Sequence, residues 1–177
     1  MIAADDVRTY VCTALERVEG SPFPFAPFSP AATALVAGRI LGCPSTTLAV
    51  ISPRDELFAG VATPFDVGLR PTTLSHMVLL EGREIIVPDA QNDARFCALL
   101  QVILFPHARF LAGFPLMGRK NQLIGAMTLV DYEPRPHPNA RDCDDVRHLA
   151  KATAYALDEH MTACQARTAA HRALDRV

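Results

Sequence analysis

Val7, Tyr10, Val11, Ala14, Leu15 and Val18 recur at helical spacing and lay one apolar stripe along residues 5–18. Asp5 and Asp6 stand at its start, where the helix dipole favours negative charge, and Gly20-Ser21-Pro22 ends it. A second helix is expected over Pro30–Leu41, with Ser29 as N-cap, proline at the first helical position and Gly42 as the stop. Thr46–Ser52 is β-branched and apolar and reads as a buried strand. Pro53-Arg54-Asp55 turns the chain into a partner strand, Glu56–Val61. A short helix follows over Thr72–Leu80, then a short strand, Glu84–Val87, closed by Pro88. Phe96–Leu104 is apolar enough for another helix. Arg109–Met117 and Leu123–Val130 flank a Gly-Arg-Lys-Asn turn and form a second hairpin. A long helix runs from about Arg141, with Asp144 and Asp145 in its first turn.

Strands therefore arrive in antiparallel pairs and not in βαβ alternation. The expected class is α+β, one antiparallel sheet with helices on its faces. The expected organisation is a first helix over residues 1–20, a domain over 21–162 and a helical extension over 163–177.

Composition narrows the picture. The 177 residues are 50% hydrophobic, enough for one compact core. A net charge of -2 gives no field to draw nucleic acid or an anionic membrane. No apolar run approaches the roughly 20 residues of a membrane span. Residues 1–6 lack the features of a secretion signal, so a cytoplasmic location is the expectation. The five cysteines are scattered and form no C-x-x-C, so free thiols are expected. The segment Ser21–Pro30, with its prolines and phenylalanines, is expected to pack across the core or a dimer partner.

Four segments in order carry a family resemblance: Glu81-Gly82-Arg83-Glu84-Ile85-Ile86-Val87-Pro88-Asp89-Ala90; Asp93-Ala94-Arg95-Phe96; Arg109-Phe110-Leu111-Ala112-Gly113-Phe114-Pro115-Leu116; and Leu123-Ile124-Gly125-Ala126-Met127-Thr128-Leu129-Val130-Asp131. With the closing helix, they resemble the GAF domain family of bacterial signalling proteins. The resemblance implies a central antiparallel sheet of five or six strands. Terminal helices would lie on one face, often pairing with a second subunit, and shorter helices and loops would roof a ligand cavity on the other.

The cavity so implied draws on Phe58, Ser75, Met77, Asp89, Asp93, Phe96, Arg109 and Gly113. Each has a plainer reading. Phe58 and Phe96 are ordinary core residues by type, and Arg109 is a natural salt-bridge partner for Asp89 or Asp93. Gly113 in mid-strand points to close backbone approach or a bulge. Covalent bilin attachment is disfavoured, because Ser75, beside His76, stands where many relatives carry cysteine. The cyclic-nucleotide pattern of the family is absent. His76 and His107 are the candidates for haem ligation, and surface or capping roles suit them better. No spacing supports a metal site. The cofactor stays unknown.

A sensory or regulatory module is therefore expected, binding a small molecule non-covalently and not catalysing. It would dimerise through its terminal helices and act with an output domain, in the same chain or in a partner. Val146, Leu149, Thr153, Leu157, His160 and Cys164 form the seam offered for that dimer. Two alternatives stand beside it. One is a ligand-free dimerisation module. The other is a thiol redox sensor or a methionine sulfoxide reductase-like enzyme built on Cys97, which lies beside Phe96 and near Arg95.

Overall fold

A computed structural model of the chain describes residues 30–51, 56–62 and 73–174. The helix expected over residues 5–18, the Pro/Phe-rich segment up to Ser29, the Pro53 turn and the 63–71 loop lie outside the described residues. The elements are α1 (Pro30–Leu41), β1 (Ser45–Ile51), β2 (Glu56–Ala62), α2 (Leu74–Glu81), β3 (Ile85–Val87), α3 (Leu100–Ile103), β4 (Phe110–Met117), β5 (Leu123–Asp131) and α4 (Ala140–Leu174). The five strands form one sheet in the order β2-β1-β5-β4-β3. Every neighbouring pair is antiparallel.

Local chemistry sets the helix ends. Gly42 adopts a φ of 65°, the left-handed conformation that lets the chain leave α1, and Cys43 N–H returns to the Gly38 carbonyl at 2.7 Å. The Thr73 hydroxyl oxygen caps α2 by accepting from the His76 amide at 3.3 Å. A second cap comes from far along the chain, since Gln101 Oε1 accepts from the Leu74 amide at 2.8 Å. Gly82, at φ 61°, closes α2 with its N–H on the Val78 carbonyl.

Alternation along the strands divides the core into two layers. In β4, Phe110, Ala112, Phe114 and Leu116 face α1 and α4, whereas Leu111 faces the other way. The first layer adds Ala34, Ala37 and Leu41 of α1 and Val146, Ala150, Ala154 and Leu157 of α4. Alanines on both helices permit close approach to the sheet. The second layer joins Leu74 and Val78 of α2, Val102 of α3 and the connecting residues Phe96, Leu99 and Ala108. The pairing of β4 with β5 shifts between Leu116 and Met117, so Ile124 joins the first layer out of step with Ala126. Helices α1 and α4 thus share one face and the shorter helices the other, within the α+β class expected.

Two departures are local. The helix expected over residues 96–104 is helical only from Leu100 to Ile103. Residues 93–99 turn instead, with Phe96 N–H on the Asp93 carbonyl and Leu99 N–H on the Phe96 carbonyl. This tight winding seats Phe96 in the core. In α4, the seam residues Val146, Thr153 and Leu157 are buried inside the chain, and Leu149 packs half-buried beside them.

Arg135 ties the layers together at one end. Its guanidinium donates to the Leu41 and Gly42 carbonyls at 2.6 Å each and meets Asp131 at 2.5 Å. Its backbone N–H donates to the Pro88 carbonyl at 3.0 Å.

Candidate functional site

The expected cavity wall is where α2 crosses β4. A Cβ built on Gly113 would stand 2.4 Å from Val78 Cγ2 and 3.5 Å from Leu74 Cγ. The glycine therefore serves close approach of helix to strand, and Val78 and Leu74 occupy the space above it. Ser75 is buried on the same helix. Met77 is half-buried and packs on the cluster that holds Phe96, Leu74 and Val78. The fold thus brings Met77 and Phe96 into the cluster whose Leu74 and Val78 lie over Gly113.

The charged candidates pair locally. Arg109 donates Nε–H to Asp89 Oδ1 at 2.8 Å and Nη2–H to Asp89 Oδ2 at 2.6 Å. The Ala90 amide also donates to the Arg109 carbonyl at 2.6 Å, which welds the 88–92 turn to the start of β4. Asp89 accepts a further bond from Asn92 Nδ2 at 2.8 Å. The Arg109 hydrogen bonds hold the Asp89 carboxyl below its ordinary range and push the Arg109 guanidinium up. Asp93 takes a different partner. It accepts from the Arg95 amide at 3.0 Å and from the Arg95 guanidinium at 3.1 and 2.7 Å. That guanidinium lies 4.9 Å from the centre of the Phe96 ring. Arg109 is thus the partner of Asp89 and not of Asp93.

Phe58 lies on β2, opposite Ala49, with β1 and β5 between its strand and β4. Three cysteines are described. Cys97 is exposed, whereas Cys43 and Cys143 are buried. Burial pushes the Cys43 thiol up to about 12 and raises that of Cys143. Cys97 is therefore the accessible thiol of the three. Among the described residues no three His, Cys, Asp or Glu side chains converge as a metal site. No described helix is long and apolar enough to cross a membrane.

One grouping escaped the sequence reading. Arg119 on the β4–β5 turn, Arg147, Lys151 and Tyr155 on α4 and Glu84 before β3 line a cavity on the opposite face of the sheet. The available signal was the four-residue spacing of Arg147, Lys151 and Tyr155, which sets them on one face of α4.

The GAF domain model matches residues 28–157, and the chain belongs to the GAF domain family, whose members are in general non-catalytic sensory and regulatory modules. Solved structures share the fold. The GAF domain of an Acinetobacter phosphoenolpyruvate-protein phosphotransferase aligns with a TM-score of 0.61 at 15% identity, covering 90% of this chain and 93% of that one. Its counterpart from Coxiella burnetii gives 0.61 at 16% identity, covering 93% and 99%. The free methionine-R-sulfoxide reductase of Neisseria meningitidis, solved with its substrate, gives 0.58 at 14% identity, covering 91% and 96%. At such identities the likeness is one of fold. Among curated protein sequences no match is found.

Proposed function

We propose that this chain is a sensory GAF domain of bacterial signal transduction. It binds a small molecule non-covalently beside α2 and passes its state outward through the terminal helices. The continuity of α4 carries the reading. Val146, Ala150, Ala154 and Leu157 dock its first half on the sheet, and the helix then runs unbroken to Leu174. At 1.5 Å per residue it reaches roughly 25 Å past Leu157. A helix that is core at one end and continues past the docked face carries a change in packing out of the domain. Ser75, Met77 and Phe96 belong to the ligand-facing layer in this reading, and Asp89, Asp93 and Arg109 shape its rim.

Dimerisation belongs to the same proposal. α1 and α4 lie side by side, and α1 turns Leu35 and Val36 outward, 37% and 47% exposed. With the α4 seam used largely inside the chain, α1 offers the better apolar contact for a second copy. Light scattering should give a dimer at micromolar concentration, and L35E/V36E should give a monomer. A monomeric wild-type protein would sink this part.

Native mass spectrometry with an absorption spectrum tests the ligand. A stoichiometric small molecule that leaves on denaturation supports binding. Bare protein from several expression hosts favours the second reading, a ligand-free dimerisation module. The close packing of Val78 over Gly113 and the burial of Phe96 speak for that alternative. Among the described cysteines the thiol reading has Cys97 alone near this layer, and an unchanged peroxide response in C97S would remove it.

A further inference from the structure

A cavity of about 400 Å³ lies between β4, the β4–β5 turn and α4. It is on the face away from α2 and shares no residue with the layer that α2 covers. Phe114, Met117 and Ala150 give it an apolar lining. Among its lining residues Arg119, Arg147 and Lys151 meet one acid, Glu84, while Asp144, Asp158 and Glu159 of α4 stand beside the lining.

The three cations are not equivalent. Arg147 is held by Glu84 at 2.6 and 3.1 Å and also meets Asp144. Among the described residues Arg119 has only a loose carboxylate, Glu159 at 3.6 Å, with both side chains mostly exposed. Such a pair contributes little. Lys151 has no carboxylate partner among the described residues. Both of these cations sit on one ring, Arg119 at 5.1 Å and Lys151 at 5.8 Å from the centre of Tyr155. The ring attracts each of them, yet they repel one another. Two cations held on one aromatic ring, neither in a close ion pair among the described residues, offer charge-assisted contacts to an anion.

The walls are fixed in advance. Asp158 of α4 accepts from the Arg119 amide and from Gln122 Nε2, each at 3.0 Å. The turn closes on itself through the Gly118 amide and the Gln122 carbonyl at 2.8 Å. A ligand would meet a site already shaped, which lowers the ordering cost of binding.

We infer that this groove is a second ligand site, taking a small organic anion, a carboxylate or phosphate monoester, on an aromatic or apolar body. The anion would sit between Arg119 and Lys151, and the body would lie along Met117 and Ala150. One wall is α4, so occupancy stabilises the docked position of that helix by mass action.

The test uses the full chain, labelled with ¹⁵N, titrated separately with phenyl phosphate, inorganic phosphate and phenol. Phenyl phosphate should shift the amides of residues 117–121 and 147–155 saturably and bind more tightly than either fragment. R119E and K151E, each verified as folded by circular dichroism, should weaken it about tenfold, the loss of one charge-assisted contact. The inference is overturned if phenyl phosphate does not saturate these shifts. It is overturned equally if phenol or inorganic phosphate binds as tightly, or if the R119Q/K151Q chain binds unchanged.

Discussion

Arg135 and Asp131 form an ion pair at 2.5 Å, and the same guanidinium closes the last turn of α1 by binding the Leu41 and Gly42 carbonyls. The Asp131 side chain is only 11% exposed, and its other oxygen accepts from the Tyr132 and Glu133 amides at 2.6 and 3.2 Å. Removing the guanidinium leaves a shielded carboxylate and two carbonyls short of a donor. R135A should lower unfolding stability by about 2 kcal/mol, and R135K should recover only part of that, because a single ammonium nitrogen cannot span acceptors set around three guanidinium nitrogens. Urea denaturation reads both; an unchanged midpoint for R135A would mean the clasp is ornamental.

Gly113 should be intolerant of even one methyl group. The added carbon would lie 2.4 Å from Val78 Cγ2, so α2 must lift or Val78 must move. G113A should destabilise by roughly 1–3 kcal/mol, in the range of core overpacking. V78A relieves the clash, so the G113A/V78A chain should be more stable than the two single losses summed. Strict additivity would show that α2 does not press on the strand as described.

The described cysteines should separate sharply in reactivity. Brief iodoacetamide treatment at pH 8, followed by peptide mapping, should label Cys97 and spare Cys43 and Cys143. Cys97 is exposed, and burial holds the other two thiols protonated at that pH. Labelling of Cys43 at the rate of Cys97 would be evidence for opening of the α1–sheet layer.

The Asp89–Arg109 pair gives stability a defined pH dependence. The Asp89 carboxyl is depressed by the Arg109 hydrogen bonds, so the folded state holds its proton more weakly than the unfolded one. Its stabilisation is present above the unfolded-state value, near about 4, and fades as pH falls through the folded-state value. D89N should therefore be less stable than wild type at pH 7, and the gap should shrink at pH 3. An equal gap at both would assign the loss to shape and not to charge.

Elements with a chemical start and stop were legible in the residues. α1 begins at Pro30 and ends at Leu41 as read, because proline at the first turn and a left-handed Gly42 are local signals. A glycine in mid-strand marks Gly113 for either close approach or a bulge, and the packing of Val78 against it is the former. Tertiary demands were less visible. The run from Phe96 looks helical, yet Asp93 and the need to bury Phe96 wind its first half into turns. In α4 the large residues marked a seam, whereas the docked face depends equally on Ala150 and Ala154, whose small size lets the helix settle. Asp89 and Asp93 looked equivalent as partners for Arg109. Only the fold shows that the turn after Pro88 presents Asp89 and that Arg95 holds Asp93. The groove on α4 was hidden because its charges come from three separated segments, each resembling ordinary surface.

Asp158 has a mechanical consequence. It bonds α4 to the sheet's hairpin twice, through the Arg119 amide and Gln122. It therefore acts as a fulcrum between two arms of similar length, the docked stretch from Ala140 and the stretch toward Leu174. A torque on the stretch toward Leu174 is transmitted to the β4–β5 turn through these two bonds. D158N should slacken that joint while leaving the buried face of α4 in place.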